Sequence, residues 1–177
     1  MPWKNGQGFT SEIAISPAGA SFPEGEFSWR LSSALVGSSG AFSQFPGCDR
    51  WLVVLEGQGL SLNGRTLGPF TPLHFHGEEV VQAELLQNAV MDLGFIYSRQ
   101  KVSAQMDVVQ VPRAGAHCLS ATTSAAFVFC VSGSVLCGEE ALSPSECFFL
   151  ENAEVNLSCE DRGALMVLIQ IQSINET

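Results

Sequence analysis

Basic residues are scarce in this sequence, and long apolar runs are absent from it. The 177 residues include 8 lysines and arginines against 18 acidic residues, for a formal net charge of −10. A field of this sign opposes binding to nucleic-acid phosphates, so we expect no nucleic-acid partner. No stretch approaches the roughly 20 consecutive apolar residues that span a bilayer, and the first residues lack the apolar segment of a secretory signal. We therefore expect a cytoplasmic protein with no membrane association.

Paired cysteine motifs are absent too. None of the 6 cysteines has Cys-x-x-Cys spacing, and Cys130 lies inside the apolar run 127–131. Such cysteines are typical of buried free thiols rather than of a zinc site or a disulfide framework. This usage favours a reducing compartment, and we predict no metal or other cofactor.

Helical periodicity is also missing. No window shows a 3.6-residue apolar stripe, whereas short β-branched and aromatic runs alternate with period two between Gly, Pro, Ser and Asn turns. This patterning predicts an all-β protein. The predicted strands are residues 11–16, 27–36, 50–55, 60–62, 80–86, 90–97, 102–111, 126–131, 146–150 and 165–171. Asn63 and Gly64 both tolerate positive φ, so they predict a two-residue hairpin turn.

A weak internal repeat divides the chain into two similar parts. The apolar run 53–57 ends in glycine and is followed by a short strand and a turn, and the run 129–133 has the same arrangement about 76 residues later. The repeat predicts two jelly-roll halves in one compact unit, residues 1–105 and residues 106–177, with the second half degenerate. Jelly-roll halves often pair through exposed edges, so a homodimer is an open expectation.

The predicted strand 27–36 carries a polar pair on one face. Alternation places Trp29 on one face and Arg30 with Ser32 on the other. The polar face points either to solvent or into a polar cavity. In a cavity, a planar guanidinium beside a hydroxyl would suit bidentate recognition of a carboxylate.

The segment 46–50 is predicted to be a turn that leads into a strand. Asp49 and Arg50 are adjacent and therefore point to opposite faces of that strand. In one interpretation Asp49 caps the turn and Arg50 covers a sheet edge. In the other, Arg50 joins Lys4 and Arg30 around an anion.

The opening segment Trp3-Lys4-Asn5-Gly6 lacks the pattern of a phosphate-binding loop. Two interpretations remain open. The segment either folds across the mouth of a pocket, where Lys4 and Asn5 offer an ammonium and an amide to a ligand, or it is an arm that Trp3 fixes to the core.

The histidines raise the question of a metal. On a strand His74 and His76 share one face, and Glu78 would extend that face, which suits an imidazole-imidazole-carboxylate site. The alternative is that His76 is a polar pocket residue and His74 lies at the surface. We assign no role to His117.

The run 51–57, which ends in Leu-Glu-Gly, resembles the end of a cupin strand. In metal-binding cupins a His-x-His pair stands a few residues before this strand, where the present chain has Phe42, Ser43 and Phe45. The resemblance therefore implies a cupin pocket that lacks the usual catalytic metal.

Longer blocks resemble the HutD/Ves family of bacterial proteins. These blocks are Trp3-Lys4-Asn5-Gly6-x-Gly8-x-Thr10-x-Glu12-Ile13, Phe27-x-Trp29-Arg30-Leu31-Ser32, Gly40-x-Phe42-Ser43-x-Phe45-Pro46-Gly47-x-Asp49-Arg50, Leu55-Glu56-Gly57-x-Gly59, Phe75-x-Gly77-Glu78 and Asp92. The resemblance implies a metal-free bicupin in the bacterial cytoplasm. For the HutD branch it also implies a regulatory or sensing role in histidine utilisation through an intermediate such as urocanate or formylglutamate. The Ves branch, which is tied to cold or stress response, is the other possibility.

Two positions depart from the family pattern. Gln7 replaces a glycine, and Leu93-Gly94 stands where the family often has Phe-Asn, so a ligand contact at position 94 would be absent.

The leading hypothesis is a binding module for a small anionic metabolite. The expected ligand-binding residues are Lys4, Asn5, Trp29, Arg30, Ser32, Phe45, Asp49, Arg50, His76 and Asp92. Arg30 and Arg50 would hold the carboxylate. The alternative is a metal-independent isomerase or hydrolase acting on a similar acid, with His76 and Glu78 as general base and acid.

Overall fold

Strands form most of the described chain. The computed structural model describes residues 8–119, 124–151, 155–159 and 163–174. Within these residues it contains 17 strands and no helix, and so no helix that is long and apolar enough to cross a membrane. The strands are β1 (Gly8–Ser16), β2 (Trp29–Val36), β3 (Gly40–Ala41), β4 (Cys48–Glu56), β5 (Leu60–Leu62), β6 (Arg65–Leu67), β7 (Leu73–His76), β8 (Gln82–Leu85), β9 (Val90–Ser98), β10 (Val102–Val111), β11 (Gly115–Leu119), β12 (Ala125–Ser132), β13 (Val135–Cys137), β14 (Glu140–Leu142), β15 (Cys147–Glu151), β16 (Val155–Cys159) and β17 (Ala164–Ser173). The all-β prediction is confirmed.

The chain divides into two compact units. The first unit extends to Val102 and also includes Ile174 near the end of the chain. The second unit runs from Ser103 to Ser173. The backbone N–H of Ile174 donates a hydrogen bond to the carbonyl oxygen of Lys101 at 2.9 Å, which ties the end of the chain to the first unit. The sequence had placed the boundary between residues 105 and 106, with residue 174 in the second half.

The first unit is a sandwich of two antiparallel sheets. Their strand orders are β1-β2-β9-β4-β7 and β3-β8-β5-β6. Apolar side chains from both sheets meet in one core, as the hydrophobic effect requires of two half-buried sheets. The core comprises Val36, Leu52, Val54, Leu60, Leu62, Leu67, Leu73, Phe75, Val81, Ala83 and Val90.

Register in the larger sheet fixes which side chains share a face. Residues directly opposite one another on β2, β9 and β4 form three rows, Arg30-Ile96-Arg50, Ser32-Gly94-Leu52 and Ala34-Asp92-Val54. Because opposite residues share a face, all three rows lie on the face that carries Leu52 and Val54 into the core. We call this the inner face of the sheet and its reverse the outer face.

The second unit repeats this plan. Its sheets have the orders β10-β17-β12-β15 and β11-β16-β13-β14. In each unit a long strand is followed directly by a glycine with positive φ, which is Gly57 (φ 99) after β4 and Gly133 (φ 81) after β12. A hairpin of two three-residue strands comes next in both units. The internal repeat in the sequence is therefore a structural repeat.

The two units differ in what they bury. Among the described residues, the buried polar and charged ones are Arg30, Ser32, Asp49 and Asp92, and all belong to the first unit. The core of the second unit is formed by apolar side chains and free thiols, including Val128, Cys130 and Met166. Buried polar groups need partners and cost stability without them, so the first unit is the place to look for function.

Several short strands were not anticipated. Seven strands of five residues or fewer lie outside the predicted ranges, namely β3, β6, β7, β11, β13, β14 and β16. So few residues show too little alternation to be told from a turn. Of these strands, β7 matters most because it carries both His74 and His76.

The sandwich core of the first unit can be tested with two substitutions. Leu60 is 0% exposed and Val80 is 74% exposed. We expect Leu60→Ala to lower the free energy of unfolding by about 2–5 kcal/mol because it opens a cavity in the core. Val80→Ala, the control, should change it by less than about 0.5 kcal/mol. Urea unfolding followed by tryptophan fluorescence measures both, and equal transition midpoints would contradict the assigned core.

Candidate functional site

Four polar side chains lie together on the inner face of the first unit. Arg30, Ser32, Arg50 and Asp92 belong to the rows that cross β2, β9 and β4. Arg30, Ser32 and Asp92 are 5%, 8% and 5% exposed. We call these four residues the inner-face cluster. Charges in an otherwise apolar core are unusual and need specific partners.

Arg30 already has a carboxylate partner. Its Nε donates to Glu12 Oε2 at 2.7 Å, and its NH1 makes a longer contact of 3.5 Å to Ser32 Oγ. Glu12 lies opposite Ser32 on the edge strand β1, which brings the acid to the inner face. The guanidinium also lies over the ring of Phe22, 4.4 Å from its centroid. Arg30 is thus held in place and largely neutralised by Glu12.

Arg50 is held differently. Its NH1 donates to the carbonyl oxygen of Ser43 at 3.1 Å, and its guanidinium lies 5.3, 5.3 and 4.9 Å from the ring centroids of Phe42, Phe45 and Phe75. Among the described residues, no ion pair within 4.0 Å includes Arg50. Burial lowers the pKa of Arg50 to about 10, which still leaves it charged at neutral pH. Arg50 is therefore a partly desolvated cation held mainly by aromatic faces.

Asp92 is the acidic member of the inner-face cluster. Burial raises its pKa to about 7, while the charge of Arg50 and a hydrogen bond from the backbone of Ala34 act in the opposite direction. The carboxyl group is thus divided between its protonated and ionised forms near neutral pH. Additional hydrogen-bond donors would favour the ionised form.

Gly94 lies on the inner face in the row between Asp92 and the two arginines. It lies in the middle of the five-stranded sheet, yet it is partly exposed to solvent. Its neighbours Leu93 and Phe95 point to the outer face and are 0% exposed, so the exposed side of Gly94 is the inner one. A Cβ built there would lie 3.9 Å from Leu52 Cδ1 and 4.0 Å from Ser32 Oγ, which is ordinary contact. The inner face therefore has room for at least a methyl group at Gly94, and its backbone there is partly exposed to solvent.

A second polar group lies on the outer face. Asp49 Oδ1 accepts hydrogen bonds from His76 Nδ1 at 2.7 Å and from Arg99 NH1 at 2.8 Å. His74 Nε2 lies 3.5 Å from Asp49 Oδ2 and 3.2 Å from the hydroxyl of Tyr97. We call Asp49, His74, His76, Tyr97 and Arg99 the outer-face cluster. The hydrogen bond and charge of Asp49 raise the pKa of His76.

Glu78 lies in the turn after β7 rather than on the strand. Arg99 and the backbone N–H of Gly47 both donate hydrogen bonds to its carboxylate, and they lower its pKa to about 2. The group is ionised at neutral pH. The geometry therefore gives no support to Glu78 as a proton donor.

The structure separates the predicted ligand-binding residues. Arg30, Ser32, Phe45, Arg50 and Asp92 meet at the inner face. Trp29, Asp49 and His76 lie on the outer face, where Trp29 stacks on Phe95 with ring centroids 6.1 Å apart. Lys4 and Asn5 fall outside the described residues, so their expected role at the mouth of the pocket stays a prediction.

Three residues that the sequence analysis did not assign to the site take part in these clusters. Glu12 pairs with Arg30, and Arg99 and Tyr97 contact the outer-face histidines or Asp49. Glu12 lies in a motif block, but its partner is 18 residues away in the chain. Arg99 follows the end of β9 in a turn, where no pattern marks a side chain as buried or paired.

The arrangement of His74 and His76 bears on whether they could bind a metal ion. His74 and His76 do share a face, with ring centroids 6.0 Å apart. Across the part of the chain that the structure describes, no three His, Cys, Asp or Glu side chains are grouped so that they could hold a metal ion. Both imidazoles turn instead toward Asp49.

A separate cavity of about 240 Å³ lies beside β7. Its lining includes Leu62, Arg65, His74, Glu79 and Val81, and no member of the inner-face cluster is part of it. We place the candidate site at the inner face because Arg30, Ser32 and Asp92, three of the four buried polar or charged residues among the described ones, lie there.

Comparison with known proteins shows which family this arrangement belongs to. Residues 1–167 match the HutD family model. The chain is 35% identical over 180 residues to the "uncharacterized 21.2 kDa protein in hutC 3'region" of Pseudomonas putida, which covers 95% of this chain and 90% of that protein. It is also 36% identical over 112 residues to protein Ves of Citrobacter koseri, covering 60% of this chain and 56% of that one.

Solved structures agree with these relatives. HutD from Pseudomonas fluorescens SBW25, in its formate condition, superposes with a TM-score of 0.84 at 30% identity and covers 99% of this chain and 94% of that chain. A cupin 2 conserved barrel domain protein from Leptotrichia buccalis gives a TM-score of 0.60 at 12% identity, with coverage of 97% and 92%. The second likeness shows the fold, and the cupin prediction is confirmed.

The elevated pKa of Asp92 makes stability depend on pH. An unfolded aspartate titrates near pH 4, so between about pH 4 and pH 7 the folded state binds a proton that the unfolded state has released. Asp92 therefore removes stability as the pH rises through this window. We expect Asp92→Asn to gain stability relative to wild type between pH 5 and pH 8, measured by urea unfolding. Asp107→Asn, at an exposed aspartate, is the control, and an equal pH response of both variants would contradict the assignment.

Proposed function

The chain belongs to the HutD family, and from that premise we propose that its first unit binds a small carboxylated metabolite at the inner face. The bound metabolite gives the protein a regulatory or sensing role in histidine utilisation. The family name and the hut-region relative in Pseudomonas putida support this setting. Urocanate and formylglutamate, both small carboxylates, are the ligands to test first.

The observation that carries the proposal is the state of Arg50. The Arg50 guanidinium is partly shielded from solvent and, among the described residues, forms no ion pair with a carboxylate within 4.0 Å, so its charge is under-compensated. A ligand carboxylate would supply the missing charge. The planar guanidinium offers paired N–H donors that match a carboxylate, and such bonds are stronger inside an apolar site than in water.

Arg30 and Ser32 have a supporting part. Since Glu12 already occupies the Nε of Arg30, its terminal nitrogens and the Ser32 hydroxyl are the groups that remain for a ligand. The rings of Phe22, Phe42 and Phe45 form an apolar wall around both guanidinium groups. A mainly apolar wall with a few convergent polar groups is typical of small-molecule sites.

Calorimetric titration of urocanate and N-formyl-L-glutamate tests the proposal. We expect Arg50→Met to weaken binding by about 10-fold to 150-fold, because a hydrogen bond to a charged group contributes about 1.5–3 kcal/mol. Methionine keeps an apolar stem against the phenylalanine rings. Arg30→Met should weaken binding less, since Arg30 is already paired.

Arg65→Met is the matched control for this titration. Arg65 is an exposed arginine of the same unit and lines the separate cavity beside β7. It should bind both ligands as wild type does. Loss of binding in Arg65→Met with normal binding in Arg50→Met would move the site to that cavity, and absence of binding to wild type would overturn the proposal.

A second candidate function rests on the outer-face cluster. The hydrogen bond of 2.7 Å between His76 Nδ1 and Asp49 orients the imidazole, and the side chain of His76 is 60% exposed. A histidine oriented by a buried carboxylate can transfer protons through its other nitrogen. If His76 transfers protons in a reaction, the NMR signals of urocanate or N-formyl-L-glutamate should be replaced by product signals during incubation with wild type. They should stay unchanged with His76→Gln. Spectra that stay unchanged over a day at high protein concentration would discard this candidate.

A further inference from the structure

We propose that the ligand of the inner-face cluster carries an N–H donor as well as a carboxylate, and that Asp92 receives this donor from a ligand lying over the partly exposed backbone of Gly94. This inference rests on the proposed function and adds the chemical class of the ligand. It assigns the two ends of one small molecule to opposite charges on the same face of the sheet.

The register supplies the geometry. On β9, Ile96 lies between Arg30 and Arg50, and Asp92 lies four residues away along the same strand. Four residues of antiparallel strand span about 13 Å. The row of Gly94 lies midway, so the cationic end and the acidic end of the inner face are separated by the one position in that stretch without a side chain.

The cationic end reaches toward the row of Gly94. The contacts of Arg30 with Ser32 and Glu12 bring its guanidinium toward the row of Gly94, since both partners belong to that row. The charge of Arg50 acts on Asp92, yet these two side chains form no ion pair within 4.0 Å. A small molecule with a carboxylate at one end and a donor at the other could contact both groups without requiring them to pair directly.

Asp92 is suited to accept a hydrogen bond. An ionised carboxylate has about four lone-pair sites, and among the described residues the backbone of Ala34 is the hydrogen-bond partner of this carboxyl group. The group is 5% exposed, so water supplies little compensation. A ligand N–H would stabilise the ionised form and would be favoured for the same reason that a ligand carboxylate is favoured at Arg50.

Two pairs of probes test the inference by removing only the N–H. Urocanate is compared with 3-(1,3-oxazol-4-yl)acrylate, in which an oxygen replaces the ring N–H and the second ring nitrogen is kept, and N-formyl-L-glutamate is compared with its N-methyl derivative. We expect wild type to prefer the N–H member of at least one pair by tenfold or more, because the analogue leaves the buried Asp92 without its donor. Calorimetry at one pH and salt concentration gives all four affinities.

Variants at position 92 locate the preference. Asp92→Val removes the acceptor and should bring the ratio of affinities within a pair close to one. Asp92→Asn keeps a carbonyl acceptor and a similar shape, and it should retain part of the preference. Arg50→Met should weaken both members of a pair by a similar factor. Thermal unfolding of each variant checks that it is folded.

The outcomes separate this inference from the proposed function. Equal binding of both members of each pair to wild type, with loss in Arg50→Met, would leave the carboxylate site standing and overturn the role of Asp92. A preference that survives in Asp92→Val would also overturn it. If none of the probes binds to wild type, both proposals fall together.

Discussion

The desolvation of one guanidinium is the constraint on which the rest of this site depends. Arg50 lies on a central strand of the larger sheet, where three phenylalanine rings surround it. Aromatic faces attract a cation but do not neutralise it. Arg30 shows the contrast, because Glu12 balances its charge. The protein therefore keeps one half-buried positive charge without a described carboxylate within ion-pair distance. The acid, hydroxyl and glycine of the neighbouring rows lie beside that charge on the same face.

Strand alternation places two chemically different clusters on one sheet. Asp49 and Arg50 are adjacent on β4, yet Asp49 belongs to the outer-face cluster and Arg50 to the inner-face cluster. β9 divides in the same way, with Tyr97 on the outer face and Asp92 on the inner one. Among the described residues, no buried side-chain nitrogen or oxygen lacks a hydrogen-bond partner, so what distinguishes Arg50 is the absence of a carboxylate within ion-pair distance rather than the absence of a hydrogen bond.

Local patterns in the sequence predicted the parts of this arrangement that depend on neighbours in the chain. The alternation in β2 correctly placed Trp29 and Arg30 on different faces of the sheet. Asn63 and Gly64 predicted the hairpin between β5 and β6, where both residues have positive φ. The motif blocks identified the family. What the sequence could not provide was pairing between distant strands. It therefore combined residues of both faces in one expected site, and it gave no sign that Arg99 would reach Asp49 over 50 positions of the chain.

The unequal distribution of buried charge places different evolutionary constraints on the two halves of the duplicated fold. In the described part of the second unit the core is made of apolar side chains and thiols, where substitutions that conserve volume usually cost less than about 1.5 kcal/mol. In the first unit a replacement near Arg50 or Asp92 also alters an electrostatic field. Amino-acid change should therefore accumulate faster in the interior of the second unit. Sequence similarity among family members should be retained longest in the interior of the first unit.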